Sequence, residues 1–179
     1  NFALYGDMSK RVMSLLSSMS PDIEIYSIDE AFMDFSGIQD CFKLGFEMRD
    51  TVARHTGIPI SIGVAKTKTL AKVANYYVKH HTEKDVCVLH DKNQIGDILK
   101  SMPVSKVWGI GSRYAKMLNS YGVKDAFDFI SLDENWVLKK MTIMGLKIQR
   151  ELKGEPCVSI DTNPSPKKNI CTSRSFGVK

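Results

Sequence analysis

Two adjacent carboxylates, Asp29 and Glu30, stand between apolar runs at residues 23–28 and 31–35 (IEIYSIDEAFMDFS over 23–36). Neighbouring carboxylates repel each other and resist desolvation, so a hydrophobic setting makes the pair costly. Hard divalent cations remove both costs because they take oxygen ligands. The plain alternative is a solvated acidic turn, and for this pair by itself the plain alternative wins.

Two more stretches carry chemistry. Residues 61–75 (SIGVAKTKTLAKVAN) run from small, flexible residues into a helix whose first turns hold Lys66, Lys68 and Lys72. A helix N-terminus offers free amides and partial positive charge, which suit phosphate, and lysine adds a mobile charge for the same target. Thr67 and Thr69 are caps or phosphate donors. The spacing is not that of a P-loop. A solvated lysine face is the bland reading, but the dipole disfavours lysines at this end. Residues 107–123 (VWGIGSRYAKMLNSYGV) place a Gly-x-Gly turn ahead of a helix, with Arg113 and Lys116 beside it and Tyr114, Leu118 and Tyr121 facing inward. That pattern matches the second half of a helix-hairpin-helix, which grips a nucleic-acid backbone without reading bases. An ordinary turn between packed helices is the competing reading.

The elements that must position these residues follow from periodicity. Residues 23–36 alternate as two short strands reversing at the acidic pair, without the Gly or Asn that tight reversals recruit. Residues 5–20 read as a helix with Met8, Val12, Leu15, Leu16 and Met19 on one face. A second helix spans 40–55, with Phe42, Phe46, Arg49 and Ala53 roughly on one face and Gly57 near its end. Residues 58–65 are β-rich, with Gly63 marking a bulge or a close backbone approach. The lysine helix over 66–81, with Leu70, Val73, Ala74 and Tyr77 apolar, precedes a short strand at 86–89. From residue 93 onward the signals are helical. The fold class is α+β: a small mixed or antiparallel sheet covered by helices on one face, then an all-α unit.

Bulk composition narrows the classes further. The 179 residues are 43% hydrophobic and 25% charged, ordinary for a globular chain. No run of eighteen apolar residues suggests a membrane span, and the N-terminus lacks a secretory pattern. Four scattered cysteines argue against zinc or a disulfide framework and favour a reducing cytoplasm. The four histidines have no ligand spacing, and Asp7 and Asp34 read as surface residues. Residues 1–97 carry 11 Lys+Arg against 13 Asp+Glu, whereas 98–179 carry 14 against 7. An acidic-site half followed by a basic half suggests chemistry in the first and polyanion contact in the second.

The strings ALYGDMSKRVM, EIYSIDEAF, GVAKTKTLAKVAN, VWGIG, GEPC and CTSRSFG, spread over the whole chain, resemble the Y-family translesion DNA polymerases, and within them the UmuC branch. The resemblance implies a palm at 1–97, a helical thumb with a helix-hairpin-helix motif at 98–160, and a linker at 161–179 into a little-finger domain. It implies template-directed, error-prone synthesis by a two-metal mechanism. Asp29 would bind both Mg²⁺ ions (Mn²⁺ as a substitute), and Glu30 the catalytic one. Lys72 would contact the incoming triphosphate; Gly109, Ile110 and Gly111 would meet the DNA backbone. The implied partners are primer-template DNA and dNTP, with a UmuD-like dimer, a sliding clamp and a recombinase filament. The family's third carboxylate, on an N-terminal DxNxFYAS-like strand, and its fingers domain have no match here. The expectation is therefore a palm–thumb piece with little activity of its own. The alternative is a non-catalytic DNA-backbone-binding module with a vestigial acidic site.

Overall fold

The computed structural model describes residues 1–20, 22–81 and 84–162. Nearly all of the expected linker, and the CTSRSFG string, lie outside the described residues. The first half runs α1 (Phe2–Met19), β1 (Ile23–Ile25), β2 (Ala31–Met33), α2 (Cys41–Thr56), β3 (Ile62–Ala65), α3 (Lys68–His81) and β4 (Val86–Leu89). The second half is helical: α4 (Lys92–Ser101), a 3-10 turn (Val104–Lys106), α5 (Ser112–Ser120), α6 (Ala126–Ile130) and α7 (Glu134–Leu152). The α+β reading holds. Side-chain caps set several starts. Asn1 accepts from the Leu4 amide, so α1 begins earlier than its apolar stripe. Asp40 accepts from Lys43, and Gly57 closes α2 in the left-handed region at φ 72°.

The expected single sheet, covered on one face, is instead two separate ladders among the described residues. β1 and β2 pair antiparallel, with Ile23 opposite Met33 and Ile25 opposite Ala31. β3 and β4 pair in parallel, Ile62 with Val86 through Ala65 with Leu89. Helices sit on both sides of β3–β4. On one side, a Cβ at Gly45 of α2 would lie 2.7 Å from Val86 Cγ1. On the other, a Cβ at Gly63 would lie 2.3 Å from the Ala71 carbonyl oxygen, so α3 packs directly on the strand backbone. Gly63 thus marks the close approach that its place in the strand suggested.

Some expected faces are turned. The buried residues of α2 are Gly45, Met48 and Val52, while Phe42 lies exposed and stacks edge-on with Phe46. Glycine allows the nearest approach to β4, so the helix rolls its Gly45 side inward. Tyr121 points outward, against Trp136, and Ile25 is exposed. Two hydrophobic clusters result. One gathers Val12, Met13 and Leu16 of α1 with Met48 and Val52 of α2. The other runs without a break from Leu70, Val73 and Leu89 through Ile98 and Leu99 of α4 to Leu118, Phe129 and Leu152. Helix α4 therefore crosses position 97/98 and joins the two halves through shared core.

Candidate functional site

The acidic turn closes on its own hydrogen bonds. The amides of Tyr26 and Ser27 both donate to the Glu30 carbonyl at 3.0 Å. The Ser27 hydroxyl donates to Asp29 Oδ1 at 2.6 Å. No residue of the turn has positive φ, which is why it needs neither Gly nor Asn. Asp29 is exposed and Glu30 half-buried, and both line a cleft of about 1500 Å³ that lies between the two ladders. Residues of β2 and β3 line the same cleft, and among the described residues each strand pairs only within its own two-stranded ladder.

The lysine helix meets the acidic turn at one point. Lys72 Nζ lies 2.5 Å from Glu30 Oε1 and 5.5 Å from the centre of the Tyr26 ring. The structure thus brings Asp29, Glu30 and Lys72 together. Lys66 is exposed and also lines the cleft.

The rest of the helix start is already occupied. Lys68 is 8% exposed and donates to Glu24 Oε2 (2.5 Å) and to the Ser159 carbonyl (2.8 Å). The Thr69 amide and hydroxyl both donate to Glu151 Oε2, at 2.9 and 2.8 Å. Thr67 caps the helix by accepting from Leu70, and donates to the Glu151 carbonyl oxygen. A protein carboxylate, Glu151, fills the position where phosphate was expected, so Thr67, Lys68 and Thr69 are structural. Helix N-termini favour anions of either kind, and the sequence does not say which anion arrives. Glu151 Oε1 also accepts from the amides of Cys157 and Val158, holding the GEPC segment in place.

The Gly-Ile-Gly turn presents backbone rather than side chain. Gly109 has φ +82°, and a Cβ there would lie 2.5 Å from Ile148 Cδ1. Gly111 is open and stands at the start of α5 with no side-chain cap on its amides. Arg113 and Lys116 are exposed nearby. Ile110 is 5% exposed, so it belongs to the core, and the backbone open to solvent in this turn is that of Gly109 and Gly111. Tyr26 and Trp108, which sequence reasoning passed over, connect this turn to the acidic one: Trp108 Nε1 donates to the Tyr26 hydroxyl at 3.0 Å. Asp34 stays on the surface, where the Ser36 hydroxyl and amide hold its carboxyl below the usual range. Among the described residues, no three His, Cys, Asp or Glu gather around one point.

Comparison with known proteins places this architecture. The family model described as impB/mucB/samB matches residues 1–76. UmuC of Salmonella typhimurium is 42% identical over 99% of this chain, and MucB of Escherichia coli is 37% identical over 99%. The chain belongs to the impB/mucB/samB family. It spans 43% of the length of each of those two relatives. The crystal structure of a DinB family error prone DNA polymerase from Sulfolobus solfataricus superposes with a TM-score of 0.68 at 26% identity, covering 87% of this chain and 48% of that one. The α+β architecture as a whole matches the palm and thumb regions of such a polymerase.

Proposed function

We propose that the protein carrying this chain is a template-directed, error-prone DNA polymerase acting in damage tolerance, with Asp29 and Glu30 as metal-binding carboxylates. The observation that carries the reading is the contact of Lys72 with Glu30 beside Asp29 at the cleft. A phosphate-seeking cation and two hard-oxygen donors converge where a metal–triphosphate would sit. The donor set fits Mg²⁺, which is held through one or two carboxylates plus substrate phosphates rather than a full protein cage. Bound divalent ions would stabilise the charge developing on the attacking and leaving oxygens.

The chain's own residues do the rest. The carboxylate of Asp29, oriented by the Ser27 hydroxyl, faces the cleft and is open to solvent on its other side. Lys72 exchanges Glu30 for a phosphate oxygen when nucleotide enters. The amides around Gly109–Gly111, with Arg113 and Lys116, hold a DNA backbone in the manner of a helix-hairpin-helix. The third carboxylate of the family is expected on a strand entering between β2 and β3, which both line the cleft and among the described residues pair on one side each. Primer-template DNA and dNTP are the substrates, the cytoplasm is the setting, and UmuD-like, clamp and recombinase partners belong to the same reading.

Primer extension by the full-length protein on a primed template tests this. Asp29→Ala and Glu30→Ala should abolish Mg²⁺-dependent extension while duplex binding persists. Full extension by Asp29→Ala would sink the proposal. Duplex binding with no metal-dependent extension by the unmutated protein would favour the non-catalytic DNA-binding module.

A further inference from the structure

The acidic turn and the Gly-Ile-Gly turn are far apart in sequence, yet three aromatic rings bridge them. Tyr26 ends the β1 side of the acidic turn, its amide bonded to the Glu30 carbonyl. Trp108 immediately precedes Gly109. Their rings meet edge to face at 5.6 Å, and the indole N–H donates to the Tyr26 hydroxyl at 3.0 Å. Phe32, on the strand that leaves the acidic turn, lies 5.6 Å from both rings. Edge-to-face pairs at this spacing are attractive beyond their buried area.

Two lysines tie this cluster to the cleft. Lys68 Nζ sits 4.8 Å from the Phe32 ring centre. Lys72 Nζ, the partner of Glu30, sits 5.5 Å from the Tyr26 ring centre. A cation over an aromatic face gains from the ring quadrupole. Continuous contacts therefore run from Glu30 through Lys72 and Tyr26 to Trp108 and the backbone of Gly109. The hydrogen-bonded route from Trp108 toward Lys72 runs through Tyr26, and Phe32 packs against both rings beside it.

We propose that Trp108 is a positioning residue: through its hydrogen bond to Tyr26 it couples the backbone-gripping turn to the Glu30–Lys72 pair, so that duplex binding and nucleotide binding reinforce each other. This rests on the polymerase reading above. The occupied thumb turn fixes Trp108, Trp108 fixes the Tyr26 ring, and the ring sets where Lys72 rests when it leaves Glu30 for phosphate. Coupling of this kind is reciprocal, so nucleotide must tighten duplex binding by the factor by which duplex tightens nucleotide.

The test uses the full-length protein with a chain-terminated primed duplex. Duplex Kd is measured by anisotropy with and without Mg²⁺–dNTP, for wild type, Trp108→Phe, Tyr26→Phe and the double variant. Trp108→Phe keeps a ring and loses the donor; Tyr26→Phe keeps the ring and loses the acceptor. Each single variant should reduce the nucleotide-induced tightening roughly three- to tenfold, the worth of one hydrogen bond, with the nucleotide-free Kd nearly unchanged. The double variant should lose no more than either single one, because both remove the same bond. A purely structural Trp108 would lower thermal stability and leave the tightening intact, which overturns the proposal. Additive losses in the double variant overturn it too. A wild type that binds no duplex, or gains nothing from nucleotide, overturns the polymerase reading and this proposal together; normal wild-type coupling retained in both single variants overturns this proposal alone.

Discussion

Replacing Glu151 by Gln probes the join between α3 and α7. The carboxylate is fully buried and accepts four hydrogen bonds, two on each oxygen: Thr69 amide and hydroxyl on Oε2, Cys157 and Val158 amides on Oε1. Glutamine turns one acceptor oxygen into an NH₂ donor, best placed at the Oε2 position, where the Thr69 hydroxyl can turn to accept from it and only the Thr69 amide bond is lost outright. Hydrogen bonds to a charged group contribute roughly 1.5–3 kcal/mol each against about 0.5–1.5 for neutral ones, so one lost bond and three weakened ones amount to a gross loss of about 4–7 kcal/mol. Removing a buried charge returns part of that, although the α3 N-terminus already stabilises the charge. The net expectation is a loss of about 3 kcal/mol. Urea unfolding followed by far-UV circular dichroism reads it directly: with a slope of about 2 kcal/mol/M the midpoint should fall by roughly 1.5 M. Thr69→Val, which removes one of the same bonds, should cost about 1–2 kcal/mol alone and less on top of Glu151→Gln. A Glu151→Gln midpoint within about 0.3 M of wild type, on the same slope, would show that the four contacts hold nothing together.

Gly63→Ala puts a Cβ 2.3 Å from the Ala71 carbonyl oxygen, a backbone atom. Helix α3 must shift, costing about 1–3 kcal/mol, visible as a lower melting temperature in calorimetry. Arg150 holds the Glu134 carboxyl below the ordinary glutamate range. That stabilisation is present at neutral pH and disappears as pH falls through the lowered value, so Glu134→Gln should flatten the acid limb of a stability–pH profile measured by urea unfolding. Arg113→Ala and Lys116→Ala should each reduce the slope of log K against log salt for duplex binding by about one.

The parts of the fold visible in the sequence were those set by local chemistry. β4 follows from VCVL between turn residues, and α2 from Asp40 and Gly57 at its ends. Gly63 in a β-rich stretch pointed to a bulge or a close backbone approach, and the close approach is what forms. The acidic pair and Lys72 were legible as chemistry, and the structure places them in one cleft. Long-range pairing was not legible. Nothing local in KTKTLAK says that Lys68 turns inward to Glu24 while Lys72 turns to Glu30, because the choice is made by carboxylates 44 and 42 residues away. Glu151 sits on a helix among charged neighbours and looks like solvent-facing surface until α7 packs on α3. The rolled face of α2 has the same origin: Phe42 and Phe46 outweigh Gly45 in hydrophobicity, but only Gly45 lets the helix reach Val86. Trp108 read as one residue of a thumb motif, and its bond to Tyr26 spans 82 positions.

The central claim is that Asp29 and Glu30 form part of a divalent-metal site, and Mn²⁺ titration followed by electron paramagnetic resonance tests it most directly. Wild-type protein should bind Mn²⁺, Mg²⁺ should displace it, and Asp29→Asn should lose the binding. Asp97→Asn, an exposed carboxylate paired with Lys100, should bind as wild type does. Mn²⁺ binding of equal strength in Asp29→Asn and wild type would contradict the account.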